Sequence, residues 1–294
     1  MSGRKDRLVL KFGGTSMADP DRIARSAAIA AAEARKGRAV AVVVSAMAGE
    51  TDRLLSCAQA LGGGLGEVET DTALAAGEQA SAALMALALK AEGLKAEAVM
   101  GWSLPIHVDG PPGASRITAI AGKGLEALVE AGVIPVVAGY QGLSGQGRLA
   151  TLGRGGTDLT AVAVAAALGA ECDIYTDVDG VFTTDPRIEP DARRVDRISH
   201  DAMLELAAMG AKVLQTRSVE YAKAKGVTLR VKSSFLEPGA SAGTEVVEDA
   251  AIAERRVVSG VSYVRDQARL SLHGGPHAAP AEALFAGLAE ADVA

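Results

Sequence analysis

Residues 7–45 read RLVLKFGGTSMADPDRIARSAAIAAAEARKGRAVAVVVS. Arg7 to Phe12 has the composition of a buried strand. Asp19-Pro20 is an N-cap followed by proline at the first helical position, and the helix it opens runs to about Lys36, where Gly37 stops it. Ala39 to Ser45 is a second strand, apolar enough to be buried on both faces. Strand, helix and strand in this order form a βαβ unit, which requires a parallel sheet.

The remaining elements extend that layer pattern. Thr51 is placed to cap a short helix over Asp52 to Leu61. A glycine turn, Gly62 to Gly66, leads into a long helix from about Val68 to Glu92. Leu94 to Met100 is strand-like, Gly101 to Gly113 irregular, Ile117 to Ala131 helical and Val133 to Gly139 a strand. Gln141 to Arg148 is a polar loop or small hairpin. Cys172 to Thr176 and Thr228 to Ser234 are strands. Helices are expected at Asp201 to Met209 and Lys212 to Lys225, divided near Gly210. Glu237 to Asp249, rich in Gly, Ser, Pro and acid, marks a boundary, giving domains 1–247 and 248–294. Beyond it come strand signals at Val257 to Val264 and Ala268 to His273, then a helix at about Ala279 to Ala289.

Composition narrows the class. The 294 residues are 49% apolar but only 3% aromatic, so the core must be closely packed Ala, Val and Leu, as in α/β layers. A net charge of −6 with mixed signs argues against a nucleic-acid surface. Cys57 and Cys172 have neither metal nor disulfide spacing, which suits a reducing cytoplasm. The apolar run Ala80 to Ala91 is too short and Ala-rich to span a membrane. Trp102 and the Met/Leu positions 84–89 are most simply core. His107, His200, His273 and His277 share no ligand spacing.

Three loops carry the chemistry. Lys11-Phe12-Gly13-Gly14-Thr15-Ser16 puts a lysine at a strand end before paired glycines, where backbone N–H groups can approach a phosphate. It is neither a Walker A loop nor GxGxxG, and a tight turn with an exposed lysine is the plainer alternative. TLGRGGTD, residues 151–158, is a second glycine loop entering a helix. Capping accounts for Thr157 and Asp158 but not for Arg154 or three glycines, which suggest a loop pressed against something. Thr176-Asp177-Val178-Asp179-Gly180, leading to Thr184-Asp185-Pro186-Arg187, follows a strand and lacks calcium-loop spacing. Alone it is a turn. Three such loops at the carboxyl ends of strands suggest phosphoryl transfer, which needs positioning and charge neutralisation more than covalent chemistry.

The motifs KFGGTS (11–16), VVSAMAGETD (43–52), AAGEQ (75–79), AGYQG (138–142), TLGRGGTD (151–158), YTDVDGVFTTDPR (175–187) and GAKVLQTRSVEYA (210–222) together resemble those of bacterial aspartate kinases, in the amino-acid kinase superfamily. The resemblance covers residue 7 to about 247. It implies a three-layer αβα sandwich around a mostly parallel sheet and transfer of the ATP γ-phosphoryl group to the side-chain carboxylate of L-aspartate. By resemblance, Lys11 and Lys212 neutralise the transferring group, Gly13 and Gly14 offer amides to phosphates, and Asp158 holds the lysines. Arg154 grips the α-carboxylate of aspartate and Glu78 faces its α-ammonium. Ser45 and Thr51 bond the reacting carboxylate, with Thr157 nearby. Thr176, Asp177, Phe182, Arg187 and Lys212 line the ATP side, with Mg2+ among the neutralising charges. Phe182 stands where a tyrosine is expected, which loses a hydroxyl. Duller readings make Glu78 a solvated acid, Thr51 only a cap and Lys212 a surface lysine.

The segment from Val257 resembles the opening of a regulatory ACT domain but is too short for a whole one. The expectation is a partial ACT-like α+β segment that packs on the kinase domain, pairs with another chain or is partly disordered, with no dependable feedback by lysine or threonine. The resemblance further implies a homo-oligomer, ACT-bearing partner chains being an option. The alternatives are an enzyme of the same fold acting on another acidic substrate, and a non-catalytic protein binding ATP and an amino acid.

Overall fold

The computed structural model describes residues 6–103, 105–211, 213–252, 260–263 and 279–290. It divides into two compact units, Met1–Ser262 and Tyr263–Ala294, whereas the sequence placed its boundary after 247.

The opening βαβ unit forms as its residues require. Strand β1 (Arg7–Phe12) pairs in parallel with β2 (Ala39–Val44) across helix α1 (Pro20–Arg35). Asp19 caps α1 by accepting the Arg22 N–H at 2.8 Å, and Pro20 occupies its first turn. Helices α2 (Glu50–Ala60) and α3 (Val68–Ala91) follow, then strand β3 (Ala96–Val99). Strands β4 (Ile106–Asp109) and β5 (Arg116–Ile120), helix α4 (Gly122–Glu130), and strands β6 (Ile134–Ala138), β7 (Gln141–Ser144) and β8 (Leu149–Thr151) come next. Helix α5 (Gly156–Leu168) and β9 (Glu171–Thr176) lead to β10 (Arg197–Ser199), α6 (His200–Ala208), α7 (Thr216–Lys225), β11 (Leu229–Ser233) and β12 (Thr244–Val247). In the second unit, helix α8 (Ala279–Glu290) is described, with Phe285 exposed.

The main sheet has the order β10-β12-β11-β9-β1-β2-β6-β3, with every pairing parallel except β11 with β12. A smaller sheet, β5-β4-β7-β8, lies beside it. Alternation along β1 sorts the core into two layers. Leu8, Leu10 and Phe12 pack with α1 and α3, while Val9 packs with α5 and α7.

Several sequence expectations fail for identifiable reasons. Ile117–Ile120 is strand rather than helix, since its β-branched residues pair with β4 before Gly122 starts the helix. Within the segment expected to be irregular, Ile106–Asp109 alternates buried and exposed side chains as β4. The acidic linker contains β12, paired within the main sheet. Thr51 lies inside α2, whose N-cap is Gly49 in the left-handed conformation. Trp102, Leu84 and Leu87 are exposed, although Met85 and Leu89 are buried. The apolar segment around Ala80–Ala91 belongs to a 24-residue helix that is long and apolar enough, by length and composition, to cross a membrane. Here α3 is a core helix instead: Ala82, Met85, Ala86 and Leu89 pack on the sheet, and it carries buried Asp71 and Glu78. The strand expected at Ala268 to His273, and most of that at Val257 to Val264, lies outside the described residues.

Candidate active site

Period two also aims the strand's charges. Arg7, Val9 and Lys11 share the face of β1 that looks at α5. Four residues of strand at about 3.3 Å each nearly match ten residues of helix at about 1.5 Å each, and β1 and α5 run in opposite directions. Arg7 Nη1 therefore donates to the Leu168 carbonyl at the C-terminus of α5, at 2.9 Å. Lys11 Nζ reaches Asp158 Oδ1 in its first turn, at 2.6 Å. Both side chains of the second pair are only 11% exposed.

The parallel ladder carries one residue beyond the strands and levels their carboxyl ends. Ser45 N–H donates to Phe12 O at 3.1 Å, Gly139 N–H to Val44 O at 3.1 Å and Ser234 N–H to Thr176 O at 3.0 Å. Gly13 and Gly14 lie at this edge. Gly13 has ordinary extended angles, so its glycine answers to space: a Cβ would stand 3.2 Å from Lys11 Nζ. One at Gly14 would stand 3.5 Å from Ala46 O. Thr176 is half-buried and bonded to Asp177, which is exposed.

Glu78 reaches the same edge from α3. Gly77 lets the helix press on the turn after β2, since a Cβ there would meet Ala46 Cβ at 2.8 Å. Glu78 Oε1 accepts the Ala46 N–H at 3.1 Å, and Oε2 is buried with no partner. The residue is 3% exposed, so it is not a solvated acid. Burial pushes its carboxyl up to about 7, against the opposing pull of the Ala46 N–H.

Thr157 is not a cap. The N-cap of α5 is Gly155, with no side-chain cap bond, and Thr157 packs where a Cβ on Gly139 would meet its Cγ2 at 2.6 Å. The glycines beside Arg154 are likewise explained within the protein. Gly153 and Gly155 both have φ of 73°, and a Cβ on Gly155 would collide with the Gln215 side chain. Gly156 is pressed between Leu152 and Tyr140. Arg154 itself is exposed and makes no hydrogen bond or ion pair among the described residues.

The structure thus gathers Lys11, Gly13, Gly14, Ser45, Glu78, Thr157, Asp158, Thr176 and Asp177 along one edge of the sheet. Thr51 is half-buried in α2 without a described contact to them. Phe182 is half-buried and bridges to Arg194, while Arg187 is exposed and forked on Asp185 at 2.7 and 3.0 Å. Lys212 lies outside the described residues. Asp179 is taken up by Arg194 and Ser241, a structural duty for one carboxylate of that loop.

The model of the amino acid kinase family matches residues 6–233. The chain belongs to the amino acid kinase family. Among the relatives of this family member, aspartokinase 2 of Bacillus subtilis is 44% identical over 91% of this chain and 65% of its own length. An aspartokinase of Thermus thermophilus is 42% identical over 98% of this chain and 70% of its own. The chain therefore spans 65% of the length of the first of these. The solved structure of E. coli aspartokinase III in complex with aspartate and ADP superposes with a TM-score of 0.74 at 29% identity, over 83% of this chain and 65% of that one.

Two residues of this family member escaped sequence reasoning. Tyr140 is the one non-glycine residue with positive φ, 66°, among those described. Its amide donates to Thr160 Oγ1 at 3.2 Å and its carbonyl accepts from Leu152, which holds the strained backbone beside Gly139. A tyrosine before Gln-Gly gives no sequence sign of this. Asp71 is wholly buried and accepts from Gly113 N–H and from both the N–H and hydroxyl of Thr151, at 2.7–2.9 Å. It ties α3 to the smaller sheet, and only its phase with Leu74 and Glu78 on the helix hinted at burial.

Proposed function

We propose that the chain carries the phosphoryl-transfer domain of an aspartokinase, moving the γ-phosphoryl group of ATP to the side-chain carboxylate of L-aspartate. A carboxylate oxygen bonds to the γ-phosphorus, the bond from that phosphorus to the β,γ-bridging oxygen breaks, and ADP leaves with 4-phospho-L-aspartate formed. The observation that carries this reading is the pairing of two unlike needs at one sheet edge. The orphaned, buried Glu78 oxygen suits an ammonium, and the Lys11 ammonium beside Gly13 suits a phosphate. An amino acid and a nucleotide together meet both. The aspartokinase III complex with aspartate and ADP supports the same pair of ligands.

The chemistry asks little of proton transfer. An aspartate side chain with a pKa of about 3.9 is ionised at neutral pH, so the nucleophile needs no general base. Charge is the obstacle: each pair of like charges about 4 Å apart costs about 4 kcal/mol at an effective dielectric near 20. Lys11, with Lys212 by resemblance, offsets that repulsion, and Asp158 holds Lys11 as an electrostatic organiser. The amides at Gly13, Gly14 and the uncapped start of α5 face the phosphates. Arg154, exposed and unpaired, grips the α-carboxylate as a bidentate fork. Ser45, Thr51 and Thr157 hydrogen-bond the reacting carboxylate. Thr176, Asp177 and Phe182 line the nucleotide side, and Arg187 joins them by exchanging Asp185 for phosphate. No group of three or more metal-ligating side chains occurs among the described residues. Mg2+ fits instead as a counter-ion carried by the nucleotide, with the exposed Asp177 carboxylate within the same edge, and when bound it supplies further neutralisation of phosphate charge.

Hydroxylamine trapping tests the reading. Incubation with L-aspartate, ATP, Mg2+ and hydroxylamine should give aspartate hydroxamate with equimolar ADP, and far less product when glutamate or N-acetylglutamate replaces aspartate. Product from one of those acids instead would reassign the substrate. No acyl phosphate from any of the three would leave a binding protein of this fold.

A further inference from the structure

We infer that Ser234, Ser16 and Arg22 form a positioning bridge that fixes the spacing between the phosphate-facing turn after β1 and the nucleotide side at the end of β9; this rests on the kinase reading above. In the sheet, β9 lies between β11 and β1. Ser234, just past β11, crosses the end of β9 to reach the turn past β1. Its N–H donates to the Thr176 carbonyl at 3.0 Å, and its Oγ lies 2.7 Å from Ser16 Oγ. Both serines are wholly buried, 218 residues apart in sequence.

Arg22 orders the hydroxyls. Its Nη2 donates to Ser234 Oγ at 2.9 Å and to the Ser234 carbonyl at 3.2 Å. A guanidinium can only donate, so the Ser234 oxygen accepts there, and its proton is directed to Ser16 Oγ or to the Thr176 carbonyl at 3.4 Å. The guanidinium lies 3.7 Å from the centre of the Phe235 ring, which fixes its plane. Ser16 is held from its other side too: its N–H donates to Gly13 O at 3.0 Å, and its carbonyl accepts from Ser26 Oγ at 2.9 Å. The bridge therefore joins Gly13 and Thr176, which follow the last paired residues of β1 and β9. A phosphate chain held by both turns is sensitive to displacements well under an ångström. Glu78 and Arg154, on α3 and before α5, lie outside this set of bonds.

Ser16, Ser234 and Arg22 touch no expected ligand atom, so they act through the residues that do. The test uses the full chain and reads nucleotide affinity without relying on turnover. Mg-ADP is titrated into wild type, Ser16→Ala, Ser234→Ala, the double variant and Arg22→Gln, and KM for ATP and for aspartate is measured separately. Each single alanine variant should weaken ADP binding about tenfold, and the double variant should weaken it no further, since both break one link. KM for aspartate should stay within about twofold of wild type. Unchanged ADP affinity, additive losses, or equal losses in both KM values would overturn the bridge and leave ordinary structural support. Arg22→Gln keeps both hydroxyls, so it still reports if an alanine variant fails to fold. A wild type that binds ADP but forms no acyl phosphate would sink the kinase reading while the titration still judged the bridge. A wild type that binds no ADP would contradict both.

Discussion

Glu78 and Lys11 are both largely buried ionisable groups, yet only one is paired. Lys11 has Asp158 at 2.6 Å, whereas one oxygen of Glu78 has nothing. A ligand ammonium would supply the missing partner, so binding aspartate should favour ionised Glu78. The affinity for aspartate should therefore rise as pH increases through about 7, the value to which burial pushes this carboxyl. In Glu78→Gln, KM for aspartate should rise about 100-fold and lose this pH dependence, while ADP affinity is retained. A KM profile that keeps its inflection in the variant would clear Glu78 of the role. At Gly155, φ of 73° and the Gln215 side chain both oppose a Cβ. Gly155→Ala should cost about 1–3 kcal/mol in urea unfolding and lower kcat by shifting the start of α5.

At the scale of elements, β1 and α5 form a matched pair with a cation at each end of the strand's inner face. The composition of RLVLKF marked it only as a buried strand, although its alternation places Arg7, Val9 and Lys11 on one side. The βαβ unit was legible, down to its cap, and Asp19→Ala should lower stability by about 1 kcal/mol, read as a shift in urea midpoint at constant slope. Other elements were hidden. Ile117 to Ile120 is short and joins directly to a helix, so its apolar residues satisfy both periods, and only pairing with β4 selects strand. Thr244–Val247 sat in a stretch whose glycines and acids describe the loop around it rather than the four residues that pair. The glycines at 153, 155 and 156 were correctly singled out as pressed against something. What presses on them, however, is Gly113, Gln215 and Tyr140, which are distant in sequence and could be supplied only by the fold.

At the scale of the molecule, two buried groups set opposite limits on pH stability. Glu78 has a folded-state pKa raised above its ordinary value, so its contribution is full below about 4.5 and is lost as pH rises through about 7, a change of about 3 kcal/mol. Burial lowers the pKa of His200, whose Nε2 lies 3.2 Å from the Val227 carbonyl. Its contribution is present above the unfolded value of about 6.5 and is lost as pH falls through the lower folded value. Thermal melts from pH 5 to 9 should show Glu78→Gln more stable than wild type at pH 8, with the difference shrinking toward pH 5. A constant difference would show that the carboxyl does not titrate there.

All these scales serve one arrangement: strand ends that collect a fixed ammonium, bare amides and a buried carboxyl with one unpartnered oxygen. Single-turnover transfer from ATP to aspartate, trapped as the hydroxamate, should be compared in wild type and Lys11→Ala at saturating nucleotide. The rate constant should fall about 1,000-fold in the variant while ADP affinity changes far less, because the ammonium acts where charge develops. A variant that transfers phosphoryl within about threefold of the wild-type rate would show that Lys11 does not carry the charge of the reaction.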